Sequence, residues 1–364
     1  MFQHWWKRID FPLVLAVLSL VAFGFVLIYS ATGRGPEATR EVDRQFLWFI
    51  PGFLMMLLMA LVDYEFWGKM HRWIYALNVF LLLLVLVLGH EARGSQRWLA
   101  LGPLTIQPSE IAKIFFIMTL ARFLSTRMGQ LTVRDVAISL LHLAIPMLLI
   151  LKQPDLGTAL VLLAIYFVLM FMAGVTPWFL AGLCSLGGAV APFVLKDYQK
   201  KRFLVFLNPE GDPHGGGWNL IQSKIAIGSG KLLGKGLFAG TQGQLRFVPE
   251  HSTDFIFTVV GEEQGFVGAT ILLILYFFII WQAIRISCQA RDSYGRLIAA
   301  GIMTLFLFHV VVNIGMTIGI MPITGIPLPF LSYGGSSLLT NMMAVGLLLG
   351  ISFRRESHLS EVSL

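Results

Sequence analysis

The chain has little charge: Asp, Glu, Lys and Arg make up 13% of its 364 residues, against roughly 25% in ordinary globular proteins. That shortage excludes a string of soluble domains, because too few polar side chains remain to cover their surfaces. Cysteine is scarcer. Cys184 and Cys288 are the only two, both within or beside apolar runs, so a disulfide framework is excluded and no metal-ligand spacing is offered. Ser/Gly linkers, internal repeats and low-complexity tails beyond a short polar C-terminus are also missing. Residues 1–364 therefore read as one domain.

What is present is hydrophobic, at 56% of residues. Apolar runs long enough to span roughly 30 Å of hydrocarbon recur along the chain. Seven are clear: Phe11–Ser30, Phe46–Val62, Trp73–Gly89, Leu156–Ala173, Val175–Leu195, Gln264–Ile284 and Gly335–Phe353. Three more, Ile106–Leu124, Val136–Leu151 and Leu297–Ile320, carry polar groups. A backbone in hydrocarbon must satisfy its own hydrogen bonds, so these runs should be helices. The expected fold is an all-α polytopic membrane protein with about ten transmembrane helices. The first run is too long for a signal-peptide core and no Ala-x-Ala-like site follows it, so it reads as a retained helix.

A net charge of +7 suggests nucleic acid only until the charges are placed. Basic residues such as Lys7, Arg8, Lys69, Arg72, Arg127, Arg291 and Arg354 fall at alternate ends of the runs. The positive-inside rule then puts both termini in the cytoplasm. One large loop, residues 196–263 between the seventh and eighth helices, lies outside, and no nucleic-acid partner is expected. Within it, Trp218–Gly230 has the pattern of an amphipathic helix in the interface plane. Gly230-Lys-Leu-Leu-Gly-Lys-Gly236 misses the phosphate-loop spacing and reads as a flexible turn.

Four outward segments concentrate the polar chemistry. In Gln107-Pro-Ser-Glu-Ile-Ala-Lys113, Glu110 and Lys113 are three apart and share a helix face. An ionisable pair at membrane depth is either a structural ion pair or the polar wall of a cavity. Just upstream, Arg97 beside Trp98 is either a headgroup anchor or a fork of donors for diphosphate oxygens. In Lys152-Gln-Pro-Asp-Leu-Gly157, Asp155 is placed to cap the following helix. The third segment, Pro249-Glu-His-Ser-Thr-Asp-Phe-Ile-Phe257, delivers Glu250, His251 and Asp254 into an apolar run. There Asp254 is either a cap or a half-desolvated carboxylate suited to general-base work. The fourth, Pro322 to Ser336, is a Pro- and Gly-rich re-entry tolerated at depth only against protein or a wet cavity. His142, His309 and Asn313 read as helix–helix hydrogen-bond partners.

Taken together, Gln107-Pro-Ser-Glu110, Gln153-Pro-Asp-Leu-Gly157, Asp197-Tyr-Gln199, Gln222 to Gly230, Thr253-Asp-Phe-Ile-Phe257 and Tyr333-Gly-Gly-Ser336 resemble the SEDS family (shape, elongation, division and sporulation). The likeness covers nearly the whole chain and favours the elongation-type polymerases over the division-type ones. It implies a peptidoglycan glycosyltransferase of the bacterial cytoplasmic (inner) membrane, polymerising lipid II into glycan strands with its active site facing the periplasm. It maps the essential carboxylate to Asp254 and cavity roles to Glu110 and Lys113. Arg97, Gln153, Asp155, Lys196, Arg202, Glu250, His251, Tyr333 and Ser336 are the further cavity or substrate-binding candidates. The family's Pro-Glu-x-His-Thr-Asp pattern is broken here, with His251 one position early and Ser252 where histidine is expected.

The chemistry so implied is an inverting transfer with undecaprenyl diphosphate as leaving group, stabilised by cations. Candidates are Arg97, Lys113, Lys196, Lys200, Lys201 and Arg202, with a divalent cation, magnesium or manganese, as alternative or addition and no dedicated metal cage. The implied partners are the undecaprenyl-diphosphate-linked glycan, a class B penicillin-binding protein transpeptidase and other elongation-machinery membrane proteins. Two rivals remain at this level: a lipid II flippase or transporter, and a non-catalytic cell-wall scaffold.

Overall fold

The computed structural model describes residues 10–33, 35–92, 95–101, 104–212, 215–241 and 251–354. Each of the ten apolar runs lies on a helix. α1 (Phe11–Ala31) begins where the Asp10 carboxylate accepts from the Leu13 amide. α2 (Pro36–Leu61) starts ten residues before its apolar run, because Pro36 and Glu37 supply good first-turn residues. That polar extension carries Gln45 toward the functional end of the bundle. The short α3 (Tyr64–Lys69) and α4 (His71–Leu88) follow.

The connector to α5 (Pro108–Ser125) is not helical. It folds as a small antiparallel sheet, β1 (His90–Ala92), β2 (Ser95–Leu101) and β3 (Leu104–Ile106), in the order β1-β2-β3. The all-helical expectation did not contain this sheet. Next come α6 (Val133–Lys152), opened by a Thr132/Asp135 capping box, and α7 (Leu156–Met172), capped by Asp155. After α8 (Pro177–Val194), the long segment holds α9 (Asp197–Leu207) and α10 (Gly216–Ser229). α11 (Ile256–Cys288), α12 (Ser293–Ile318) and α13 (Gly335–Arg354) complete the bundle.

Seven of these helices, α1, α2, α4, α6, α11, α12 and α13, are long and apolar enough to cross a membrane. α7 and α8 are shorter and apolar, and α5 carries Glu110, Lys113 and Arg122 within its length. α13 and α12 form the buried centre, whereas α4 and α6 expose large apolar side chains such as Leu77, Phe80, Leu141 and Leu148. Those faces suit a hydrocarbon solvent. The molecule is an integral membrane protein.

α10 falls where an amphipathic helix was expected, and it buries Gly217, Leu220, Ser223 and Ala226 against the bundle. Trp218 and Ile225, from its expected apolar face, stay exposed.

The following turn is not a loose one. Residues 230–236 dock on a break in α11, where Gly265 adopts φ 64°. The turn supplies Lys235 N–H to the Glu262 carbonyl (3.0 Å) and Gly236 N–H to the Glu263 carbonyl (2.9 Å). It also accepts from the Phe266 and Val267 amides at Lys231 and Leu232 (2.9 and 3.0 Å). The backbone groups freed by the break are thus satisfied by protein, which is what membrane depth demands. A side chain at Gly265 would be strained, and its Cβ would meet Gly234 N at 2.3 Å. Gly265→Ala is expected to lower stability by roughly 1–3 kcal/mol, read as a drop in melting temperature in detergent.

Candidate active site

One end of the bundle gathers the starts of α5, α7, α11 and α13 and the end of α12 around a cavity of about 310 Å³. Three basic side chains, Arg97, Lys113 and Arg202, and three acidic ones, Glu110, Asp155 and Asp254, line it. Each arrives by a different local device.

Pro108 opens α5, whose first two turns carry Glu110 and Lys113, both buried. Lys113 Nζ lies 2.8 Å from Glu110 Oε1 and donates to His309 Nε2 at 3.2 Å. The His309 Nδ1–H donates to the Pro327 carbonyl (3.0 Å). That carbonyl can only accept, which fixes the tautomer and leaves Nε2 to receive the ammonium. His309 thus bridges α12 to α5 through Lys113, as expected of a polar residue in a span, and is a member of the cavity wall as well.

Asp155 caps α7 and is held by four donors. Thr158 N–H reaches Oδ1 at 3.1 Å, while Thr158 Oγ1, Gln107 Nε2 and Ser109 Oγ reach Oδ2 at 3.0, 3.1 and 3.2 Å. β2 brings Arg97 to the opening, where Nε donates to the Gln153 carbonyl (2.8 Å) and Nη2 to that of Pro154. Arg202, on α9, donates to the Thr324 and Ile323 carbonyls at 3.0 and 3.4 Å. Burial and repulsion from Arg97 lower its pKa from the usual guanidinium value, with Asp254 and Asp155 pulling the other way. Neither guanidinium has a carboxylate within ion-pair distance among the described residues.

Asp254 stands just before α11, whose N-cap position falls on Phe255. It lies beside Gly325 of the re-entrant segment, 320–334, and Arg202 approaches the same glycine. A Cβ at Gly325 would meet Asp254 Oδ2 at 3.3 Å and Arg202 Nη1 at 4.0 Å. Gly325 has φ +75°, a conformation that favours glycine, and a side chain there would also crowd the Asp254 carboxylate.

The main chain around Asp254 is pinned to that re-entry. Tyr333 N–H donates to the Ser252 carbonyl (2.8 Å), and Ser332 Oγ donates to that of Thr253 (2.6 Å) while accepting from Leu328 N–H (2.8 Å). Gln45 braces the far side, accepting from Gly334 N–H at 3.1 Å.

Of the residues singled out from sequence, Arg97, Glu110, Lys113, Asp155, Arg202, Asp254, Tyr333 and Ser336 all line the cavity. Gln153 stands behind the wall, holding Arg97 by its carbonyl and donating from Nε2 to the Leu82 carbonyl (3.1 Å). Lys196 is exposed at the start of α9, away from the cavity. His251 is half-buried and off the wall, and Glu250 lies outside the described residues. Gln107, Thr158, Thr324 and Ser337 join the wall without having been singled out. Among the described residues no three His, Cys, Asp or Glu side chains cluster as a metal site.

A family model described as "Cell cycle protein" (FtsW, RodA, SpoVE) matches residues 11–357. The chain is 39% identical to "Peptidoglycan glycosyltransferase MrdB" of Escherichia coli K12, over 97% of this chain and 96% of that one. It is 40% identical to "Probable peptidoglycan glycosyltransferase FtsW" of Trichlorobacter lovleyi, over 94% of this chain and 93% of that one. Among solved structures it resembles a chain described under "Structural coordination of polymerization and crosslinking by a peptidoglycan synthase complex". That match has TM-score 0.81 and 34% identity, covering 96% of this chain and 98% of the other. A second is the crystal structure of Thermus thermophilus "Rod shape determining protein RodA", TM-score 0.73 and 32% identity over the same shares.

Proposed function

This chain belongs to the FtsW/RodA/SpoVE family, and from that premise we propose the reaction its cavity performs. It is a peptidoglycan glycosyltransferase. The substrate is lipid II, and the polymer is a glycan strand carried on undecaprenyl diphosphate. The cavity faces the periplasm from a bacterial cytoplasmic (inner) membrane, with both termini cytoplasmic.

Asp254 accepts the proton of the acceptor's N-acetylglucosamine C4 hydroxyl. That oxygen attacks the anomeric carbon of the donor strand, and the bond to undecaprenyl diphosphate breaks. An α-linked diphosphate gives a β-linked glycan, so one displacement with inversion suffices. The leaving diphosphate keeps its electron pair and needs positive charge more than a proton. Arg97, Arg202 and Lys113 provide it from three elements, β2, α9 and α5. The two guanidiniums are already oriented by backbone carbonyls, so little reorganisation accompanies the reaction. A divalent cation could add to this charge, although Asp155 and Glu110 already have protein partners.

The observation that carries the reading is the convergence of Asp254 with three cations on one cavity at one end of the bundle. A transporter needs its polar site near the midplane instead. The elongation role follows from the motif likeness described above. With it come a class B penicillin-binding protein transpeptidase and elongation-machinery membrane proteins as partners.

The test is direct. Purified protein given lipid II is expected to build a ladder of glycan polymers on a gel. A flippase or a scaffold makes no polymer, so a blank lane with well-folded protein overturns the assignment.

A further inference from the structure

α12 turns two side chains of one face toward the site. His309 and Asn313 are four residues apart, so they project from adjacent turns of that face, and both are buried. His309 links Lys113 to the Pro327 carbonyl. Asn313 uses both amide hydrogens, donating at 2.8 Å to the Asp254 carbonyl and at 2.8 Å to the Ile326 carbonyl. Both acceptors are carbonyls, so the NH2 group must face them and the amide cannot turn over. One planar group thereby fixes the spacing between the peptide of Asp254 and the re-entrant segment beside Gly325.

We infer that Asn313 is a positioning residue for the transfer: it holds the Asp254 main chain against the re-entrant segment, so that base and cations keep one geometry. The inference rests on Asp254 being the base. Asn313 reaches neither sugar nor diphosphate in this role. It acts through Asp254, and its loss shifts the base without removing it. A misplacement of about 1 Å costs on the order of 100-fold in rate, whereas substrate binding depends on Arg97 and Arg202, whose guanidiniums are held by carbonyls that Asn313 does not bond.

The experiment compares Asn313→Ala with Ser223→Ala in purified full-length protein, using lipid II polymerisation and melting in detergent. Ser223 Oγ donates to the Thr317 carbonyl of the same helix at 2.6 Å, so its removal also deletes a buried bond to backbone, but away from the cavity. Asn313→Ala should lose about 100-fold in kcat with KM nearly unchanged, while Ser223→Ala melts lower yet keeps its kcat. Should Asn313→Ala not fold, Asn313→Gln retains both donors but advances them by one methylene, and the same loss in kcat is expected. A folded Asn313 variant with normal kcat overturns the inference, as does an equal loss in Ser223→Ala, which would mark general loosening. Asp254→Asn separates the two levels: if that variant polymerises, the base assignment fails first. If it is dead while the Asn313 variants are normal, only the positioning role falls.

Discussion

Asp254→Asn is expected to abolish polymerisation of lipid II while leaving the protein folded. The amide has the carboxylate's shape, so the cavity keeps its packing. What disappears is the lone pair basic enough to take a hydroxyl proton. General-base catalysis contributes roughly 10²–10⁴-fold, so glycan ladders should fall below detection at ordinary enzyme concentrations. The fold should not notice, because the segment is held through its main chain: Ser252, Thr253 and Asp254 each offer a carbonyl to Tyr333, Ser332 and Asn313. Asp254→Glu keeps the base but moves it by a methylene, so its activity should lie between the two. Gel ladders together with a melting curve decide the matter, and normal ladders from the Asn variant would refute the role.

The second large effect is expected at Lys113 and Glu110. Both are buried, with Lys113 only 1% exposed, and their ion pair at 2.8 Å sits in low dielectric. Removing one partner strands a charge, which costs about 3–5 kcal/mol. Lys113→Met should therefore melt far lower and lose polymerisation. The double variant Lys113→Met/Glu110→Gln removes both charges, and such replacements are often neutral for stability. It should regain most of the melting temperature yet stay inactive, because the cation proposed to face the leaving diphosphate is gone. Restored stability accompanied by normal ladders would reduce the pair to a structural one.

Much of the site was legible because it lies in continuous stretches. Gln107 to Lys113 places an acid and a base on one face of a helix start, and the Pro/Gly run from Pro322 cannot be helical. The cap at Asp155 is equally local. Asn313 and His309 were legible only as hydrogen-bonding groups, for the opposite reason. Each is a single polar residue in an apolar helix, and only the folded chain reveals that their common face meets the re-entrant segment. An i, i+4 polar pair in a span was the available signal. Gln45 was silent too, since its partners at Ser332 and Gly334 are nearly three hundred residues away in sequence. The turn at Gly230 looked flexible because glycines were counted as freedom, when they allow close approach to the break at Gly265.

The sequence by itself determined the membrane class, the ten helical runs and most of the segments that line the cavity, because hydrocarbon forces backbone bonding to be local. Tertiary structure alone decided which charges meet. Arg97 comes from a small sheet, Arg202 from α9, Asp254 from the start of α11 and Lys113 from α5, and no period or spacing relates them. Their convergence depends on how helix ends pack around a re-entrant loop, and that is a property of long-range contacts.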